Sequence, residues 1–231
     1  MRVEHIGNAT LVLADCMDIM RDMPDNAFEL AIVDPPYGLE RFKNGIGKND
    51  RHTVKTTNES WNNDIPNYLY FNELFRISNN QIIWGANNFT LPPTEYFCIW
   101  NKKQTVDNFA SAEYAWVSMG LKKPAKVFEY SIHKHNQINK IHPTQKPVAL
   151  YKWLLKNYAK PGNKILDTHG GSGSSVIACL DMGYEITWIE KDVNFFEAAL
   201  KRIKDFAAQP KLPLDDTPEP VEQWLGFEEA L

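Results

Sequence analysis

Residues 163–190, NKILDTHGGSGSSVIACLDMGYEITWIE, constrain the fold most strongly. A short run rich in apolar residues ends in Asp167, and glycines follow at Gly170, Gly171 and Gly173. An apolar helical stretch then covers 173–182, and a second strand-like run ends in Glu190. Two strands joined by a helix lie parallel in one sheet, because the crossover returns the chain to the same edge. Runs of the same kind stand at 10–15, 29–34, 81–85, 96–100 and 112–117, with helical patterns at 66–79, 147–159 and 192–206. This alternation predicts an α/β fold with a mostly parallel, seven-stranded sheet, in a single domain over 1–207. Two regions break the rhythm. Residues 38–64 are polar and rich in Asn, Lys and Thr, and read as a long mobile loop. Residues 208–231 read as an extended acidic, proline-rich tail whose VEQWLGF end is apolar enough to pack back on the domain.

Four of the strand-like runs end in an acid: Asp15, Asp34, Asp167 and Glu190. In an open α/β sheet the ligand crevice lies outside the carboxyl ends of the strands, so these acids converge on it unless one or two of them cap helices. Glu190 stands where an acid accepts hydrogen bonds from ribose hydroxyls, and the glycine turn lacks the GKS or GKT ending of a phosphate loop. Together these features point to an adenosine-bearing ligand. At the end of another run stands Asp34-Pro35-Pro36-Tyr37. The prolines stop the strand and fix a rigid corner. An exocyclic amine on a base is a poor nucleophile, because its lone pair is delocalised into the ring. Asp34 and the carbonyl of Pro35 can accept its two N–H groups and draw the nitrogen toward sp³ geometry. Tyr37 can stack on a base that has been flipped out of its duplex.

These residues resemble the amino-methyltransferases of DNA, the family that carries DPPY ahead of the cofactor glycines. LADCMDIMRDMPDNAFELAIVDPPYG is similar to that family's opening, and IHPTQKPVALYKWLLKNYAKPGNKILDTHGGSGSSVIA to its cofactor half. With WGANNF and CIWNKK the resemblance covers roughly residues 5–206, and is greatest to compact phage-type adenine methyltransferases. It implies a Rossmann-like, circularly permuted methyltransferase sheet. The strand before Gly170 would be the first cofactor strand, and those ending at Glu190, Asp15 and Asp34 the second, third and fourth. It implies S-adenosyl-L-methionine as cofactor, with S-adenosyl-L-homocysteine as product, and Asp34, Pro35, Pro36 and Tyr37 as catalytic residues. By the same resemblance, Asp15 and Cys16 approach the cofactor adenine, and His142, Thr144 and Lys146 hold its methionine end. Asp167, Thr168, His169, Gly170, Gly171, Ser172, Gly173, Ser174 and Ser175 cradle the cofactor, and Glu190 and Lys191 hold the ribose. His169 departs from the family, where phenylalanine is common.

The implied partner is double-stranded DNA, and the net charge of −4 does not oppose it. Residues 205–231 carry −6, which leaves +2 on the rest. Residues 40–55 hold five Lys or Arg against two acids, and 122–146 hold six Lys against one. Segments 38–64 and 101–140 are therefore the candidates for reading the target sequence, with Arg41, Lys43, Lys48, Arg51, Lys122, Lys123 and Lys134 as DNA contacts. His133 and His135 lack a third ligand at suitable spacing, so they are expected to meet phosphate or solvent and no metal is expected. Cys16, Cys98 and Cys179 form no CxxC pair and read as reduced thiols. No apolar run approaches the roughly 20 residues of a membrane span, and the N-terminus shows no signal pattern, so a cytoplasmic protein of a bacterium or a phage-infected cell is expected. Monomer and homodimer both stay open, as does a companion restriction enzyme. Methylation of cytosine N4, methylation of RNA adenine, and a non-catalytic nucleic-acid-binding subunit are the alternatives to adenine N6.

Overall fold

The computed structural model describes residues 1–38, 65–105, 107, 110–136 and 140–210. Nine strands form one sheet in the order β1-β2-β9-β8-β3-β4-β6-β5-β7. They are β1 (Arg2–Ile6), β2 (Ala9–Leu13), β3 (Leu30–Val33), β4 (Gln81–Trp84), β5 (Phe97–Asn101), β6 (Ala112–Val117), β7 (Lys126–Glu129), β8 (Lys164–Asp167) and β9 (Glu185–Glu190). Five neighbouring strands, β2, β9, β8, β3 and β4, run parallel. β6 is antiparallel to both β4 and β5, and β1 is antiparallel to β2.

Seven strands were expected and nine are present among the described residues. The two extra strands, β1 and β7, lie at the two edges of the sheet. Edge strands face solvent on part of their surface, so RVEHI and KVFE mix polar with apolar residues and lack the continuous apolar run of a buried strand. The expected permutation holds in the strand order. β2 pairs in parallel with β9, placing Leu13 opposite Glu190, so the start of the chain completes the sheet beside its later half.

Apolar side chains leave both faces of the central strands. In β3, Ile32 joins one buried cluster while Ala31 and Val33 join the other, and in β4 Ile82 and Trp84 oppose Ile83 in the same way. The result is three layers. The helices α4 (Val148–Tyr158), α5 (Ser174–Met182) and α6 (Val193–Ala207) contribute to the first cluster. The helices α1 (Cys16–Met20) and α2 (Tyr68–Ile77) contribute to the second. In α6, Phe195, Phe196, Ala199, Leu200 and Ile203 recur at helical spacing and are buried, and Asp192 caps its start. A short helix, α3 (Ile132–His135), precedes the 140–146 segment.

The connection β8–α5–β9 moves toward one edge of the sheet and β3–α2–β4 toward the other. β8 and β3 are adjacent, so the direction of winding reverses between Asp167 and Asp34. Such a reversal opens a crevice at the carboxyl ends of the strands. Residues 211–231, including VEQWLGF, lie outside the described residues, as do 39–64 with Arg41, Lys43, Lys48 and Arg51. No helix among the described residues is long and apolar enough to cross a membrane.

Candidate active site

A cavity of about 600 Å³ fills this crevice. Asp15, Cys16, Asp34, Pro36, His142, Thr144, Lys146, Thr168, His169, Gly170, Gly171, Ser172, Glu190 and Lys191 line it. Asp167, Gly173, Ser174 and Ser175 stand behind that wall and shape it.

The glycine turn owes its form to close packing. A Cβ on Gly170 would fall inside the indole of Trp188, so only glycine lets the loop lie on β9. Gly173, with φ +70°, starts α5, where a Cβ would sit 2.8 Å from Ile203. The acids beneath the loop hold it. Glu190 accepts from the backbone N–H of Gly171 and of Asp192, both at 2.8 Å. Asp167 accepts from the Ser175 hydroxyl at 2.6 Å and the His169 N–H at 3.2 Å. Burial nevertheless pushes Asp167 up to about 7, and it raises Glu190 as well. Arg202 of α6 ties the loop from outside, donating to the Ser172 carbonyl at 2.7 Å and the Ser174 hydroxyl at 3.1 Å. Asp15, one of the four strand-end acids, caps α1 by accepting from the Met17 N–H at 2.8 Å. It therefore shapes the chain as well as lining the cavity.

His142 lies over Phe195, with ring centroids 4.3 Å apart, and its Nδ1 meets the Thr144 hydroxyl at 3.2 Å. His169 packs edge-on against Tyr70 at 5.2 Å, and its Nδ1 meets the Thr168 hydroxyl at 3.0 Å. Burial, aided by Lys191, pushes His169 down to about 3, so the ring is neutral at ordinary pH. Burial pushes the Cys16 thiol up to about 12, which rules out a thiolate nucleophile there.

Across the reversal point the chemistry differs. The prolines end β3, and Asp34 follows it. One of its oxygens, Oδ2, pairs with the Lys146 ammonium, while Oδ1 is buried and has no hydrogen-bond partner among the described residues. Burial raises Asp34 and the Lys146 charge opposes that rise. Lys146 also reaches Glu113 of β6 at 3.1 Å and lies 5.5 Å from the Trp84 ring centroid. Burial works against its charge, yet Asp34 and Glu113 hold it protonated well above the ordinary lysine range. Tyr37 packs on Gly85, where a Cβ would sit 2.6 Å from its ring, and edge-on to Phe89. WGANNF thus serves as the floor under Tyr37.

Sequence reasoning missed several residues of this site. Glu113 is an acid inside the apolar run AEYAWV, and that incongruity was its signal. Gln145 lines the cavity with a buried Nε2 that has no hydrogen-bond partner among the described residues, while its Oε1 accepts from the Ile141 N–H at 3.1 Å. Tyr70 bonds the Thr168 hydroxyl at 2.7 Å. The basic residues separate. Lys122 and Lys123 follow β6, which runs antiparallel to β4 and pairs Val117 with Ile82, so they lie at the sheet edge away from the cavity. Lys134, past the other end of β7, is exposed over Tyr130. His133 is exposed, whereas the expectation for His135 needs correction. His135 is 1% exposed and its Nε2 donates to the Gln145 carbonyl at 2.7 Å, so it braces the 140–146 segment and meets neither phosphate nor solvent. Among the described residues no group of three His, Cys, Asp or Glu is placed to hold a metal.

The N6/N4 DNA methylase family matches residues 61–201. The type II methyltransferase M.HinfI of Haemophilus influenzae is 22% identical over 252 residues, covering 87% of this chain and 70% of that protein. M2.MboI of Moraxella bovis, another type II methyltransferase, is 23% identical over 238 residues, covering 84% and 87%. Among solved structures, the M1.HpyAVI–SAM complex superposes with a TM-score of 0.56 at 19% identity, over 84% of this chain and 99% of that one. The cytosine-N4-specific PvuII DNA methyltransferase gives 0.55 at 12% identity, over 87% and 91%.

Proposed function

This chain belongs to the N6/N4 DNA methylase family, and from that membership we propose that it methylates the exocyclic N6 amine of a flipped adenine in double-stranded DNA. The carrying observation is Asp34 Oδ1, a buried carboxylate oxygen at the edge of the cavity with no hydrogen-bond partner among the described residues. An unpartnered buried acceptor is costly, and an amine N–H is what satisfies it. The Pro35 carbonyl is the second acceptor, and Tyr37, backed by Gly85 and Phe89, is the stacking surface. Aspartate at the head of the motif favours adenine over cytosine N4, where serine is usual in the family.

S-adenosyl-L-methionine supplies the methyl group as a sulfonium. The residues present fit it. Glu190 keeps lone pairs for ribose hydroxyls after accepting two backbone N–H groups, and Gly170 and Gly171 allow close approach of the backbone. His142, which lies beside Gly171, and Thr144 and Gln145 face the same cavity and hold the amino-acid end. Lys134, exposed past the end of β7, is a proposed DNA contact, and the basic residues of 39–64 lie outside the described residues. Lys122 and Lys123, at the far edge, are not proposed as contacts.

The test is incubation with unmethylated DNA and labelled S-adenosyl-L-methionine, followed by nucleoside mass spectrometry. N6-methyladenine is expected, falling by at least about a thousandfold in Asp34→Ala, the scale of losing a group that acts only in the transition state. N4-methylcytosine would overturn the substrate and keep the chemistry. An active Asp34→Ala would overturn the mechanism.

A further inference from the structure

Lys146 is 4% exposed, and its ammonium is shared between two carboxylates, Asp34 after β3 and Glu113 in β6. Glu113 in turn pairs with Lys102 at 2.6 Å. A chain of alternating charge therefore runs Asp34–Lys146–Glu113–Lys102. An ammonium carries three donors, and a buried one draws in as many acceptors as it can reach. Divided between two carboxylates, Lys146 takes one oxygen of Asp34 and leaves Oδ1 without a partner among the described residues. With Asp34 as its single carboxylate partner, it would be drawn across both oxygens of that group. We propose that Glu113 is a positioning residue for methyl transfer, holding one side of the Lys146 ammonium so that Oδ1 of Asp34 stays open to the amine. This rests on the reading of Asp34 as the amine's acceptor.

The groups that face Asp34 electrostatically are Tyr37 on its own turn, Tyr70 on α2, Lys102 just after β5, Glu113 on β6, Lys146 just before α4, Tyr151 on α4, and Asp167 on β8. Burial works to raise Glu113, but Lys146 and Lys102 hold it down at about 2, so it is charged throughout the working range. Its charge adds to the rise of Asp34. Neutralising Glu113 therefore lets Lys146 depress Asp34 further, and the acid limb of the rate profile moves to lower pH.

The experiment compares the full chain with Glu113→Gln and Glu113→Asp, measuring kcat and both KM values against pH, and cofactor affinity by titration without DNA. Glu113→Gln keeps the shape of the side chain. It is expected to lose about 10- to 100-fold in kcat, the rate equivalent of one charge-assisted hydrogen bond. Its cofactor affinity stays unchanged and its acid limb shifts down. Glu113→Asp keeps the charge and the wild-type limb. A Glu113→Gln enzyme with wild-type kcat overturns the inference. So does a fall in kcat with no shift of the limb, which is what a merely structural role produces. Should Glu113→Gln fail to fold, a displaced limb in Glu113→Asp overturns it equally. Asp34→Ala runs alongside. If it stays active, the reading of Asp34 falls and this inference with it. If it is inactive while Glu113→Gln matches wild type, the Glu113 inference alone falls.

Discussion

At the glycine loop, Asp167 and Glu190 spend their carboxylate oxygens on neighbours in the chain, whereas Asp34, one strand away from Asp167, keeps an oxygen that nothing in the described chain satisfies. The first arrangement is a finished hydrogen-bond cradle, its acids fixed by backbone N–H groups and a serine. The second is held by charge, with one ammonium balanced between two carboxylates. The difference follows from what each side must do. A cradle for a bound ligand works best rigid and complete before the ligand arrives. A group that stabilises developing charge must keep an acceptor in reserve. Changes on the cradle side should therefore cost stability and cofactor affinity together. Changes at Asp34 and Glu113 should cost rate.

The hardest break of the cradle is Gly170→Ala. The added Cβ would overlap the Trp188 indole, a side chain that is itself fully buried, so loop and strand must part. Overpacking of this kind costs about 3 kcal/mol or more, roughly 6–12 °C in melting temperature for a domain of this size. Cofactor binding should fall with it. Thermal melts with and without S-adenosyl-L-homocysteine check both, and an unchanged melt would mean that the loop does not lie on Trp188.

Ser175→Ala is gentler and sharpens the comparison. It strips one donor from the buried Asp167, a loss of about 1–3 kcal/mol. Its pH dependence has a definite sign. The folded value of Asp167, about 7, lies above that of an unfolded aspartate, so whatever the neutral acid contributes is present at low pH and is lost as pH rises through 7. Because the Ser175 hydroxyl favours the charged form, its removal should cost more at pH 8 than at pH 5. Melts of both proteins at those two pH values decide it, and an equal cost would mean that Asp167 is not titrating near neutrality.

The sequence made the cradle legible and the charge network largely not. Strand, glycine turn, helix and acid-ended strand stand together in 163–190, and each is specified by local rules. Asp34 was legible because two prolines mark it. Its partners come from afar. Lys146 lies 112 residues on, and Glu113 sits within an apolar strand run where an acid is easily passed over. Charge alone groups Lys122, Lys123 and Lys134 together as DNA contacts. The antiparallel β6 and the edge strand β7 divide them, leaving Lys122 and Lys123 at one edge of the sheet and Lys134 past the other end of β7. Composition cannot anticipate that reversal, because it depends on strand direction. His135 was misread for a similar reason. Its spacing from His133 is local, but its burial against Trp100 and Tyr130 is tertiary.

The smallest expected effect concerns the one departure from the family within the cradle. His169 stands where phenylalanine is common, and its ring is held between Tyr70 and the Thr168 hydroxyl. In an unfolded chain a histidine takes up its proton near pH 6.5, whereas folded His169 does so only near 3, because burial and then Lys191 disfavour the charge. Below pH 6.5 the unfolded state therefore binds a proton that the folded state refuses, and stability is lost progressively as pH falls toward 3. Phenylalanine has no proton to bind. His169→Phe should match wild type within about 1 kcal/mol at pH 8, as a swap of two rings of similar bulk, and should lose less melting temperature than wild type between pH 6.5 and pH 4. His135, held down to about 4 by burial, contributes the same loss to both proteins and cancels in the difference. Parallel melting curves across that range would mean that the His169 ring takes its proton as freely folded as unfolded, and that the position faces water in the cavity mouth instead of bracing the cradle against α2.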